Sequence, residues 1–164
     1  MTAAENLDTT QGINPIPERM QGFIPYLVVP NAKEAIQFYS KAFSGKVLLE
    51  LNMKDGTLGH GEVLVGNTRI MLSEEKAEWN MKGPKAIGGC PVTLTIYVDD
   101  VDNFAKGMVA AGMKMTREVQ DHFYGDRMGT FEDPYGYIWC IGSRIEEIPG
   151  AEMQKRMNEL FEEN

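Results

Sequence analysis

The chain nearly repeats itself once: residues Ile24 to Leu72 lie over Thr93 to Ile141 at one constant shift. Val29 falls on Val98, Asn31 on Asp100 and Met71 on Cys140, each 69 positions on (98 − 29, 100 − 31, 140 − 71). In both copies an apolar strand-like stretch runs into Asn or Asp, then an amphipathic helical pattern, then three further strand-like stretches. A βαβββ unit used twice constrains the fold closely, because a four-stranded sheet with one helix cannot cover both of its faces alone. The two units must pair. The expected fold is therefore α+β, with two βαβββ units forming curved mixed sheets around a cavity, plus a C-terminal helix.

Local signals divide the chain into an N-terminal arm (1–20), a body (21–148, with units 22–74 and 91–145) and a C-terminal helix (149–164). The arm is polar, without periodicity, and is expected to be flexible. In the first unit, Asn31 followed by Glu34 forms a capping-box pattern, and Ala32, Ala35, Ile36, Tyr39, Ala42 and Phe43 fall on one helical face. Strands are expected near Val47–Leu51, Gly61–Val65 and Arg69–Ser73. The link from Glu74 to Gly89 holds Gly83-Pro84 and Gly88-Gly89 and reads as a loop with one helical turn, with Trp79 and Met81 available as a lid or docking segment. In the second unit, Asp100 caps a helix whose buried face is Val101, Phe104, Ala105, Met108 and Val109. Strands near Lys114–Val119, Gly129–Glu132 and Tyr137–Ser143 follow, with the turn Asp133-Pro134-Tyr135-Gly136 between the last two. The tail aligns Met153, Met157, Leu160 and Phe161 on one apolar stripe.

Composition narrows the function. A formal charge of −8 over 164 residues argues against a nucleic-acid or anionic membrane partner. No apolar run reaches the roughly 20 residues needed to span a bilayer, and the N-terminus lacks a signal-peptide pattern, so a cytoplasmic protein is expected. Cys90 and Cys140 sit in unlike contexts and read as free thiols.

Strand alternation then sorts side chains between a helix-packed face and a cavity face. Leu27, Val29, Val63, Val65, Ile70, Leu72, Leu94, Ile96, Trp139 and Ile141 belong to the first set. The cavity wall is expected to combine His60, Glu62, Arg69, Thr93, Thr95 and Tyr97 with Ile24, Tyr26, Leu64, Met71, Ile138 and Cys140.

The doubled unit, the stretch from Tyr26 to Tyr39 and the turn Asp133-Pro-Tyr-Gly136 resemble the vicinal oxygen chelate superfamily, the glyoxalase I and bleomycin-resistance fold. His60-Gly-Glu62, Ile70-Met-Leu72, Tyr97 to Asp102 and Phe123 to Arg127 resemble its PhnB-like branch, over about Ile13 to Arg156. Such a resemblance specifies fold better than activity, since the superfamily includes lyases, isomerases, dioxygenases and proteins that only sequester drugs. It implies metal ligands on the cavity face of the first and last strands of each unit. Those positions are Ile24, Met71, Thr93 and Cys140, which make no usual site for a hard or borderline cation, so no metal or other cofactor is expected.

The polar wall leaves two readings open. His60 and Glu62, two apart on one strand face, suit an acid/base pair or two unorthodox ligands; alternatively Glu62 is a buried carboxylate neutralised by Arg69 or Arg127. The expected function is binding of a small organic ligand, of the sequestration or resistance type, by a homodimer. The expected ligand-binding residues are Tyr26, His60, Glu62, Arg69, Met71, Thr93, Thr95, Tyr97, Tyr124, Arg127 and Cys140. The alternatives are a glyoxalase-like lyase or isomerase using His60 and Glu62 as catalytic groups, and a regulatory or interaction module using Trp79 and the tail helix.

Overall fold

A computed structural model describes residue 12 and residues 14–17 and 20–162, the side chain of residue 161 excepted. Most of the expected N-terminal arm, and Phe161 in the tail stripe, lie outside the described residues. The first unit runs β1 (Tyr26–Val29), α1 (Ala32–Ala42), β2 (Lys46–Asn52), β3 (Leu58–Val65) and β4 (Thr68–Glu74). After a 3₁₀ turn (Ala77–Trp79) and the short α2 (Pro84–Ile87), the second unit runs β5 (Thr93–Tyr97), α3 (Val101–Ala111), β6 (Lys114–Asp121), β7 (Asp126–Glu132) and β8 (Ile138–Arg144). Helix α4 (Gly150–Glu162) ends the fold. The sheets have orders β1-β4-β3-β2 and β5-β8-β7-β6, with β1/β4 and β5/β8 parallel and the other pairs antiparallel. The repeat is thus realised strand for strand, and α3 begins and ends 69 residues after α1 (101 − 32, 111 − 42).

Both long helices start where the sequence places a cap: Asn31 Oδ1 accepts from Glu34 N at 3.2 Å and Asp100 Oδ1 from Asn103 N at 3.0 Å. Ala35, Ile36 and Tyr39 of α1 and Val101, Ala105 and Met108 of α3 are buried against the strands. The helix-bearing faces of both sheets contribute to a single core, from Leu27, Val63 and Leu72 through to Phe131, Trp139 and Ile141. Between the units lies an aromatic cluster in which the Phe43 and Trp139 rings are 4.5 Å apart and Tyr39 contacts Phe43, Tyr135 and Trp139.

Asp133 ties that cluster together. Its Oδ2 accepts from Tyr39 Oη (2.8 Å) and Trp139 Nε1 (2.9 Å), and its Oδ1 from the backbone N–H groups of Tyr135 and Tyr137 (2.9 Å each). Gly136 completes the turn at φ 92°, a conformation that favours glycine. The two sheets are not closed on one cavity within the chain; the faces opposite the helices are open, with Tyr26, Leu51 and Tyr97 46%, 52% and 53% exposed. No helix among the described residues is long and apolar enough to cross a membrane.

Asp133→Ala leaves two side-chain and two backbone donors buried without an acceptor. At about 1–3 kcal/mol for each group stranded, with partial relaxation, the variant should lose at least about 3 kcal/mol in urea unfolding. Burial pushes the Asp133 carboxyl up, against the hydrogen bonds that pull it down. Between the ordinary value and the raised one the folded chain holds a proton that the unfolded chain has released, so this group's contribution is full in acid and declines with rising pH. The stability difference between wild type and Asp133→Asn should therefore narrow as pH rises from about 4 and become flat once pH exceeds the raised value.

Candidate functional site

On the first sheet the register lays Tyr26, Met71, Glu62 and Leu49 side by side across β1, β4, β3 and β2, with Ser73, His60 and Leu51 in the next row. Alternation explains β1, β3 and β4. It fails in β2, where Val47 pairs with Val63 on the helix face but Leu49 pairs with Glu62 on the open one. A bulge between them reverses parity, so Leu49 and Leu51 enter the site although their spacing from Val47 groups them with the core. The second sheet does the same: Met115 opposes Phe131, and after a register shift Arg117 opposes Thr130.

Glu62 is buried, at 5% exposure, and sits at the centre of a hydrogen-bonded chain. Arg69 Nη1 donates to Glu62 Oε2 in an ion pair, His60 Nε2 lies 3.2 Å from Glu62 Oε1, and Tyr26 Oη lies 3.2 Å from His60 Nδ1. Arg69, not Arg127, neutralises the carboxylate. Leu49, Leu64 and Met71 border this polar chain, and Arg69 Nε and Ser73 Oγ are buried beside it with no hydrogen-bond partner among the described residues.

The other expected site residues lie on the second sheet. Thr95, Cys140, Thr130 and Arg117 form one row, and Thr93 and Tyr97 flank it on β5. Burial pushes the Cys140 thiol up, against Thr130 and Arg117, which opposes formation of a reactive thiolate. Tyr97 Oη and Arg144 Nε both donate to the buried Asp126, a cluster that sequence reasoning missed because Asp126 and Arg144 stand far apart in the chain and meet only through the β7/β8 register. Tyr124 stacks on His122 and reaches Met128 Sδ at 3.5 Å.

Arg127 stands apart from the expected binding wall. It opposes Ser143, whose hydroxyl binds the start of α3, and its guanidinium grips Asp102 Oδ1 and Oδ2 (2.9 and 2.8 Å) and Asp121 (2.7 Å). It therefore clamps helix α3 to the sheet from the helix side and takes no part in the open face. The remaining residues form two groups: Tyr26, His60, Glu62, Arg69 and Met71 on one sheet, and Thr93, Thr95, Tyr97 and Cys140 on the other, with Tyr124 in the turn between β6 and β7.

Cavities of about 340 and 380 Å³ lie between the units. The larger is apolar and lined by Phe23, Ile24, Tyr26, Val92, Leu94 and Tyr137. Tyr137 Oη accepts from Val28 N (2.8 Å) and donates to Val28 O (3.1 Å), capping the free edge of β1. Trp79 of the connecting segment is exposed, with the Lys76 ammonium 4.5 Å above its ring.

Paired βαβββ units that each keep one sheet face free of helices define a scaffold of the glyoxalase and bleomycin-resistance type. The family model of the Glyoxalase/Bleomycin resistance protein/Dioxygenase superfamily matches residues 20–141, and the chain belongs to that superfamily. It is 33% identical over 137 residues to an uncharacterised protein of Mycobacterium tuberculosis, covering 82% of this chain and 81% of that one. Similar solved structures include TioX from Micromonospora sp. ML1 (TM-score 0.61, 22% identity, 74% of this chain and 97% of that chain). Another is TnmS3, an antibiotic binding protein from Streptomyces sp. CB03234 (TM-score 0.54, 18% identity, 75% and 96%).

The metal positions implied by the superfamily resemblance hold a hydrocarbon (Ile24), a thioether (Met71), a hydroxyl (Thr93) and a thiol held protonated (Cys140). That donor set does not fit a divalent cation, and no group of three or more His, Cys, Asp or Glu among the described residues is placed to hold one. Dialysis against Zn²⁺ or Ni²⁺ should leave well under about one ion per chain by elemental analysis, with the melting temperature unchanged by chelator. Separately, Glu62→Ala strands the Arg69 charge and should cost about 3 kcal/mol in urea unfolding, whereas Glu62→Gln should cost less.

Proposed function

We propose that this protein is a PhnB-like member of its superfamily that binds a small organic molecule on its open sheet faces and sequesters or carries it without a catalytic metal. The observation that supports this best is the Tyr26–His60–Glu62–Arg69 chain, a self-neutralised polar strip bordered by Leu49, Leu64 and Met71. Mixed apolar and hydrogen-bonding walls of this kind orient a ligand without supplying a nucleophile or a Lewis acid. TnmS3, an antibiotic binding protein of the same fold, agrees with that role.

The second reading, a lyase or isomerase, is favoured by one contact, His60 Nε2 at 3.2 Å from Glu62. Against it stands the lock on Glu62: both carboxylate oxygens are already engaged, one by His60 and one by Arg69. A homodimer belongs to the proposal. Each open face in one chain leaves large apolar groups in water, among them Leu49 and Leu51 on the first sheet, and β5 is an edge strand with one side unpaired. Placing the first sheet of one protomer against the second sheet of its partner would bring Tyr26 and Glu62 opposite Thr95, Tyr97 and Cys140, and a two-fold axis closes that arrangement. A cytoplasmic location fits this role.

Native mass spectrometry of untagged full-length protein reads both parts of the proposal. The expected species is a dimer carrying a low-mass organic molecule. A bare monomer at every protein concentration would count against dimer and pocket together. Turnover of a hemithioacetal that Glu62→Gln abolishes would instead establish the lyase.

A further inference from the structure

We infer that the open face of the first sheet takes an uncharged aromatic molecule that donates a hydrogen bond, a phenol or an aromatic N–H compound, with Tyr26 Oη as the accepting atom. The inference rests on the small-molecule-binding reading above. The direction of the hydrogen-bond chain carries it. Glu62 accepts at both oxygens, from Arg69 Nη1 and His60 Nε2, because an ionised carboxylate has no proton to give. With its one ring proton committed to Glu62, a neutral His60 presents only a lone pair at Nδ1. Tyr26 then supplies the proton of the 3.2 Å bond to His60 Nδ1. Every proton in the chain points inward toward Glu62, and the Tyr26 oxygen is left with lone pairs alone. A molecule that bonds to that oxygen has to donate.

The surroundings set the rest of the ligand's chemistry. Glu62 and Arg69 cancel each other, so this strip offers no free charge to compensate an ion brought out of water. Tyr26 is half-exposed, and it also lines the apolar cavity of about 380 Å³ with Phe23, Ile24, Val92 and Leu94. The other hydroxyl in that wall, on Tyr137, is spent on the backbone of Val28. Aromatic and branched walls with one available acceptor suit a flat ring carrying one O–H or N–H.

Three naphthalenes separate the possibilities in fluorescence titrations of the full-length protein at pH 7.5: 2-naphthol, its methyl ether 2-methoxynaphthalene, and the anion 2-naphthoate. Wild type should bind the naphthol about tenfold more tightly than the ether, the scale of one net hydrogen bond, and the anion most weakly. Tyr26→Phe should bring naphthol and ether to about equal affinity. Equal binding of naphthol and ether by wild type, a preference that survives Tyr26→Phe, or preferred binding of the anion would overturn the inference and leave the pocket reading standing. Absence of saturable binding by any of the three would overturn it and count against the pocket as well.

Discussion

One buried carboxylate organises the junction of the two units. Asp133 takes four hydrogen bonds, two from side chains on opposite sides of the junction and two from its own turn. Ionised and buried at 3% exposure, it is tolerable only while every one of those donors is in place. Tyr39 brings α1 to the group, Trp139 brings β8, and the aromatic cluster around them fixes how the units meet. The placement of each sheet relative to the other follows from this contact.

The repeat is consequently asymmetric where it matters. In the first unit, Gly66-Asn67 makes a plain hairpin between β3 and β4, whereas the matching turn of the second unit carries Asp133 and its donors. Tyr137, at the end of that turn, caps the edge of β1, while Thr68 occupies the corresponding position in the first unit (137 − 69). One copy of the unit thus supplies the fastening and the other receives it.

With the helix-bearing faces committed to the shared core, polar residues on the opposite faces are free to serve a ligand. On the first sheet Glu62 and Arg69 neutralise one another. Arg127 and Asp126 show how neighbouring residues in one strand take unrelated tasks: successive side chains point to opposite faces, so Arg127 secures α3 while Asp126 holds Tyr97 and Arg144.

The sequence by itself determined the doubled βαβββ unit, both helix caps, the buried helix faces apart from Val109, which is 46% exposed, and the facing of β1, β3, β4, β5 and β8, because caps act within a turn and strand period is local. It also placed His60 and Glu62 on one face and left Arg69 and Arg127 as rival partners for the carboxylate. Only the tertiary structure chose Arg69, since β3/β4 pairing sets that distance while β7 belongs to another sheet. It alone placed Leu49, Leu51 and Arg117 on the open faces, because a bulge reverses parity without leaving a mark in the residue pattern. It also made Asp133 the shared acceptor of Tyr39 and Trp139, a contact across 94 residues of chain that no local rule encodes.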